Sequence, residues 1–293
     1  MTLSEAFRTG SQILKNADIN APAVDAGVLL CSVAKCSRED IYAHGDREMD
    51  DSLLQRYLSA LEKRSQGYPL QYLTGVQEFM SLSFSVGPGV LIPRQETELL
   101  VETVLEFCRN KAGKGNLNES NCGRILDIGT GSGCIAVSLA YYLPGWTVVA
   151  VDKMFSALDG VKKNAYANGV GERVFTLKSD LFRNVDMTVS STGGFDVIVS
   201  NPPYIRSADI CGLQREVREH EPIEALDGGM DGLFFYREII RTAPAYLKEG
   251  GMLAFEVGYD QAEDVAALMS GFVSIGIQKD LAGIDRVVTG VKT

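Results

Sequence analysis

The chain has 293 residues, 45% hydrophobic and 23% charged, which supplies a buried core and length enough for two domains. Lys and Arg number 28 against 38 Asp and Glu, a formal net charge of −10. That balance weighs against a protein that coats DNA, RNA or an anionic membrane, because phosphate binding begins with a basic surface.

Glu5, Arg8, Lys15, Asp18 and Asp25 interrupt the first 25 residues, so no apolar signal segment forms. The longest apolar stretches, 26–31 and 134–143, fall far short of a membrane span. Six cysteines (31, 36, 108, 122, 134, 211) include no Cys-x-x-Cys pair, and His44 and His220 are the two histidines. The expectation is a cytoplasmic protein with reduced thiols, no disulfides, no metal site and no membrane partner. Asn118-Glu119-Ser120 matches a glycosylation triplet, which without secretion is chance.

Residues 1–75 read as about four helices. Thr2 and Glu5 have capping-box spacing. A second helix-like segment runs from Ala21 to Ala34. Leu53, Leu54, Tyr57, Leu58 and Leu61 share one helical face, with Gln55, Arg56, Glu62 and Lys63 largely opposite. The period then changes: Leu82, Phe84 and Val86 alternate with serines as in a half-buried strand. Gly87-Pro88-Gly89 reads as a turn and Val90-Leu91-Ile92 as a short returning strand, so 76–95 is expected to be a hairpin linking two domains. A helix follows with Glu96 and Glu98 in its first turn, where carboxylates suit the helix dipole. Residues 110–123 are polar and rich in Gly and Asn, a surface loop. Beyond it, strand patterns at 124–128, 147–151, 173–178, 195–200, 250–257, 272–278 and 286–291 alternate with helical ones. This predicts an α/β domain over 96–293, a mostly parallel sheet covered on both faces.

Gly129, Gly131 and Gly133 stand where the first strand of that domain turns into a helix, with Thr130 and Ser132 between them. Glycine lets backbone approach a ligand closely, and helix amides then face the crevice. Asp152 ends the next strand, 25 residues after Asp127, where a carboxylate can accept from both ribose hydroxyls of a nucleoside. A tight turn without a ligand is the plainer alternative. A dinucleotide site favours Gly-x-Gly-x-x-Gly/Ala, whereas this loop is Gly-x-Gly-x-Gly. Asp-x-Gly-x-Gly-x-Gly resembles the S-adenosylmethionine loop of class I methyltransferases, which implies a methyl donor before a dinucleotide.

Asn201-Pro202-Pro203-Tyr204 follows the strand at 195–200, beyond the strand ends where ligands of open α/β sheets lie. Two prolines stiffen the segment, and Pro202 biases Asn201 away from helix. An amide or aniline-like nitrogen is a poor nucleophile that no side chain deprotonates at neutral pH. Catalysis therefore orients the NH2 and stabilises charge as the nitrogen attacks. The Asn201 oxygen and the Pro202 carbonyl can accept its two N–H bonds, and Tyr204 offers a flat face. A rigid turn without chemistry is the competing reading.

With these residues in view the chain resembles, nearly end to end, the peptide-chain release factor glutamine N5-methyltransferases. The resemblance is carried by Pro69-Leu-Gln-Tyr-Leu-Thr-Gly75, Phe79, Val90-Leu-Ile-Pro-Arg-Gln-Glu-Thr-Glu98, Leu126 to Gly133, Asn201-Pro-Pro-Tyr-Ile205, Glu221-Pro222 and Ala225-Leu-Asp-Gly-Gly-Met-Asp-Gly232. It implies a class I S-adenosylmethionine-dependent methyltransferase fold, Rossmann-like with seven strands, behind a helical substrate-recognition domain at 1–75. The donor would lie against Gly129, Thr130, Gly131, Ser132, Gly133, Asp152, Asp180, Leu181 and Asn201. The substrate glutamine of a Gly-Gly-Gln loop would meet Asn201, Pro202, Pro203, Tyr204, Arg94 and Glu96. Gln95 stands where the family usually has proline, and Leu181 where it often has a larger aromatic residue. The family's partners are class I release factors. The competing activities are glutamine methylation of a ribosomal protein, adenine-N6 methylation of nucleic acid, a nucleotide-dependent oxidoreductase, and sensing of S-adenosylmethionine without catalysis. Net charge −10 and the lack of a Lys/Arg stripe disfavour stable nucleic-acid binding. His220 precedes Glu221 in the loop after the tetrapeptide and is a possible base, although water can take the proton.

Overall fold

A computed structural model describes residues 1–111, 122–185 and 193–293. Most of the polar stretch 110–123, including Asn118 to Ser120, lies outside the described residues. The chain divides into two compact units, Met1–Val76 with Leu213–His220, and Gln77–Gly212 with Glu221–Thr293.

The first unit is helical: α1 (Leu3–Asn16), α2 (Pro22–Ala34), α3 (Arg38–Ala43), α4 (Asp51–Ser65) and α5 (Leu70–Thr74), joined by a short α9 (Arg215–His220) from later in the chain. The capping box forms as its spacing predicts. Glu5 N donates to Thr2 Oγ1 (3.3 Å), and Thr2 N donates to Glu5 Oε2 (2.9 Å). Leu3, Leu14, Leu29, Leu30, Tyr57 and Leu61 are buried at its core. Gly10 lets α1 approach α4, since a methyl there would collide with the Tyr57 hydroxyl. Arg64, at the end of α4, holds Asp25 (2.7 Å) and Glu216 of α9 (2.5 Å). The bond to Glu216 ties 213–220 to the helical unit, a partnership that linear order conceals.

In the second unit β1 (Val76–Phe79) and β2 (Leu82–Ser85) form a hairpin. Here the expectation for 90–92 is corrected: Val90-Leu91-Ile92 is not a strand, and the partner of β2 is β1. The turn between them is Met80-Ser81, with both φ positive (51° and 57°), a geometry that sequences usually mark with Asn-Gly. Glu98 compensates by accepting from Met80 N (2.6 Å). The helix after the hairpin, α6 (Thr97–Lys111), starts one residue beyond Glu96, which remains in the preceding turn.

The main sheet contains β3 (Gly123–Ile128), β4 (Trp146–Asp152), β5 (Val174–Lys178), β6 (Phe195–Ser200), β7 (Leu247–Glu256), β8 (Val273–Lys279) and β9 (Asp285–Val291). Its order is β5-β4-β3-β6-β7-β9-β8, parallel except for the antiparallel pairings of β9 with β7 and β8. All seven strands fall within three residues of their sequence-predicted limits. Alternate residues feed opposite cores. Ile125, Val197, Val199 and Ala254 pack toward α6, α7 (Cys134–Tyr142) and α8 (Phe155–Ala167). Leu126, Ile198, Leu253 and Phe255 pack toward α10 (Phe234–Thr242) and α11 (Ala262–Leu268). The order reverses between β3 and β6, which opens a crevice beyond their carboxyl ends.

Candidate active site

The loop from β3 to α7 is set by its backbone. Gly129, Gly131 and Gly133 adopt φ of 72°, 55° and 79°, conformations costly for any residue with a Cβ. Gly129 N and Thr130 N both donate to Val151 O at 2.9 Å, which fastens the loop to β4. Gly131 N donates to Asp152 Oδ2 (3.1 Å) and Met154 N to Asp152 Oδ1 (2.9 Å). The Asp152 carboxylate is therefore aimed by two main-chain donors while it lines the cavity. Beneath the loop, Thr130 Oγ1 donates to Asp127 Oδ2 (2.6 Å), and burial pushes the Asp127 carboxyl up to about 7. Asn164 of α8, fully buried, accepts from Ser85 N (2.8 Å) and donates to Ser132 O (2.9 Å), tying hairpin to loop. Helical periodicity gives no sign of that role.

A cavity of about 300 Å³ lies over these elements, at the lower end of the range for small-molecule sites. Of the predicted donor residues, Gly129, Thr130, Gly131, Ser132, Asp152, Asp180, Leu181 and Asn201 line it. Gly133 does not: it caps α7, and a Cβ there would meet Val161 at 3.0 Å. Cys134, Ile135, Met154, Ala157, Phe235 and Ile239 add apolar wall. Leu181, in the left-handed region at φ 50°, follows Ser179, whose N–H donates to Asp152 O (3.0 Å).

Asn201, Pro202 and Pro203 line the same cavity at the end of β6. Ser200 Oγ donates to Ile128 O (2.7 Å), which locks that end to β3. Asn201 Nδ2 donates to Thr97 Oγ1 (3.2 Å). Tyr204 does not line the cavity. Its hydroxyl points to Glu256 Oε1 (3.4 Å), and burial raises its pKa well above the ordinary tyrosine value. The turn 225–232 explains its glycines here. A Cβ on Gly228 would stand 2.7 Å from Tyr204 Cα, and one on Gly232, at φ 75°, would strike the Tyr204 carbonyl.

Arg94 lines the cavity and pairs with Glu221 (2.5 Å), which also accepts from Ile92 N (3.2 Å). That bond, together with Pro93, explains why 90–94 runs as a wall of the cavity rather than as a strand. Glu96 is exposed and outside the lining. His220 belongs to the helical unit, edge-on to Tyr68 at 4.9 Å between ring centroids. Among the described residues, no group of His, Cys, Asp and Glu could hold a metal ion, and no helix is long and apolar enough to cross a membrane.

Strand order, glycine loop and cavity at the reversal define the Rossmann-like fold of class I S-adenosylmethionine-dependent methyltransferases. The solved hMettl16 catalytic domain shares this fold at a TM-score of 0.51, 17% identical over 82% of each chain. Residues 5–75 match the family described as PrmC N-terminal domain, and 114–214 the methyltransferase small domain. Proteins named release factor glutamine methyltransferase align along nearly the whole chain. The one from Clostridium botulinum is 38% identical over 100% of both chains, and that from Moorella thermoacetica 40% over 98% of this chain and 97% of its own. The one from Geobacter sulfurreducens is 42% identical over 89% and 87%. The chain belongs to the release factor glutamine methyltransferase family.

Proposed function

We propose that the protein transfers a methyl group from S-adenosylmethionine to the side-chain amide nitrogen of the glutamine in the Gly-Gly-Gln loop of class I release factors, in the cytoplasm. The observation that carries this reading is the meeting of Asn201, Pro202 and the Gly129–Ser132 loop in one cavity. The donor set fits the nucleoside part of S-adenosylmethionine. Asp152, already aimed by main-chain amides, has lone pairs for two ribose hydroxyls, and Met154, Leu181 and Ile135 supply apolar surface for a base. When bound, this group supplies a methyl on a sulfonium sulfur that becomes a neutral thioether as the S–C bond breaks.

The chain's residues act on the nucleophile. The Asn201 carbonyl oxygen and the Pro202 carbonyl accept from the glutamine NH2, turning its lone pair toward the methyl and favouring the positive charge that grows as the C–N bond forms. The surplus proton leaves to water. Arg94 and Pro203 shape the substrate side of the cavity. The helical unit at 1–75 serves as a grip for the release factor, with 76–95 as the link. Net charge −10 favours a protein amide over a nucleic-acid base, although the same tetrapeptide suits an adenine NH2.

Incubation of the full-length protein with labelled donor and intact release factor tests this reading. Label on the factor, lost when its Gly-Gly-Gln glutamine is replaced by glutamate, is the expected result. Label on DNA, RNA or a ribosomal protein instead would overturn it.

A further inference from the structure

Gln261, just before α11, is a polar side chain only 2% exposed, and it does not line the cavity. Its whole amide is engaged. Nε2 donates to the Tyr204 carbonyl (2.9 Å) and, at greater length, to the Gly232 carbonyl (3.4 Å), while Oε1 accepts from Gly258 N (3.1 Å). The end of the tetrapeptide, the turn 225–232 and the loop after β7 therefore meet on one side chain. Two glycines make room for it. A Cβ on Gly232 would stand 2.5 Å from Gln261 Nε2, and one on Gly258 2.7 Å from Gln261 Oε1.

The orientation of this amide is fixed by its partners. A main-chain carbonyl can only accept and a main-chain N–H can only donate, so the NH2 end faces Tyr204 and Gly232 and the oxygen end faces Gly258. The tetrapeptide's composition explains why such a clasp matters. Pro202 and Pro203 have no N–H, so neither can be tied down by donating a hydrogen bond. The segment is therefore held from its ends. At the near end Ser200 Oγ donates to Ile128 O and Asn201 Nδ2 to Thr97 Oγ1. At the far end Ile205 N donates to Leu226 O (2.9 Å), Gly228 N donates to Ile205 O (2.8 Å), and Gln261 holds the Tyr204 carbonyl. Leu226, Gly228 and Gly232 belong to one turn, so Gln261 grips both the segment and the turn on which it rests.

We infer that Gln261 is a positioning residue for methyl transfer: its amide holds the far end of Asn201–Tyr204 and thereby sets where the Pro202 carbonyl stands in the cavity. This rests on the reading of the tetrapeptide as the site that holds the glutamine NH2. It gives a chemical reason for a buried amide that touches neither donor nor substrate.

The test uses the full-length protein, intact release factor and S-adenosylmethionine, with turnover and donor affinity measured separately. Gln261→Met keeps the length and removes the amide. It should lower kcat by about 10- to 100-fold, the effect of a small displacement of reacting groups, with the donor Kd within about threefold. In an N201A background, Q261M should add little, because the two act on one segment. Gln261→Glu keeps the shape and makes the donor switchable. Ionised, it turns an acceptor toward two carbonyls; protonated, it can donate to Tyr204 again. Burial raises a carboxyl toward neutrality, so kcat of Q261E relative to wild type should fall as pH rises from about 5.5 to about 9. Taking the ratio at each pH cancels titrations common to both proteins, including Glu256 beside the Tyr204 hydroxyl and the Asp260–Arg206 and Asp231–Arg237 pairs. A Q261M turnover within about threefold of wild type beside a strongly impaired N201A would overturn the inference and leave the tetrapeptide reading intact. So would equal losses in kcat and donor affinity, additive losses in the double variant, or a Q261E ratio that does not change with pH, since each points to general packing. Q261E carries the test if Q261M does not fold. A near-normal N201A would instead overturn the tetrapeptide reading itself.

Discussion

The two loops that meet at the cavity are built in opposite ways. The one after β3 is a backbone device: three glycines at positive φ, main-chain amides turned toward β4 and Asp152, and few demands on side-chain identity. The one after β6 is a side-chain device: prolines remove conformational freedom, and the Asn201 amide is held by a hydroxyl from another element. Each rests on a buried carboxyl. Asp127 accepts from Thr130 under the first, and Glu256 from Tyr204 under the second, and burial pushes both up to about 7. The contrast teaches that recognition of a ligand's common parts can be left to main chain, whereas orienting one reacting nitrogen needs a side chain whose own orientation is fixed.

If that division holds, damage to the two loops separates binding from turnover. Asn201→Ala should give the largest effect, about 100- to 1,000-fold in kcat with the donor Kd changed much less. Equal losses in both quantities, measured by steady-state kinetics and calorimetry, would erase the distinction. Gly232→Ala should come next. A Cβ there meets the Tyr204 carbonyl as well as bearing the strain of positive φ, about 1–3 kcal/mol for the backbone alone. Gly131→Ala meets no atom within 4 Å and carries the φ strain only, so thermal melting should fall further in G232A than in G131A. The reverse order would place the tighter packing in the glycine loop. Asp152→Ala should weaken donor affinity by about 10- to 100-fold, the worth of charged hydrogen bonds, while kcat at saturating donor changes little. An unchanged Kd by calorimetry would remove Asp152 from the donor site.

The smallest effect concerns the carboxyl under the first loop. Asp127 titrates at about 7 in the folded protein against an ordinary aspartate value of 3.8 in the unfolded chain. Between those values the folded state holds a proton that the unfolded state has released. The resulting contribution is full below pH 4 or so and is lost as pH rises through 7. Asp127→Asn removes this loss. The melting temperature of the variant relative to wild type should therefore rise from pH 5 to pH 8, and a constant difference would show that Asp127 is solvated.

Much of this molecule is legible along the chain because its signals are local. Two-residue alternation marks strands, glycine spacing marks the donor loop, and a proline pair after an apolar run marks the tetrapeptide. The β1 strand is hidden for an equally local reason: Met80-Ser81 carries no turn signature, while Gly87-Pro88-Gly89 carries a strong one that belongs to the cavity wall. Glu98 reads as a helix-dipole residue, and only the fold reveals that it holds the Met80 turn. Glu256 had a usable sign, an acid within the apolar strand predicted at 250–257.

Fold class, strand limits, the glycine loop and the Asn-Pro-Pro-Tyr segment were thus decided by short-range patterns that any chain with these residues must express. Thr97 and Asn201 are 104 residues apart, Ser85 and Asn164 79 apart, and Arg64 and Glu216 152 apart. No periodicity links such pairs, because only the packing of the sheet against its helices, and of α9 within the helical unit, brings each into hydrogen-bonding distance. The tertiary structure alone therefore decided that the Asn201 amide is bonded to Thr97.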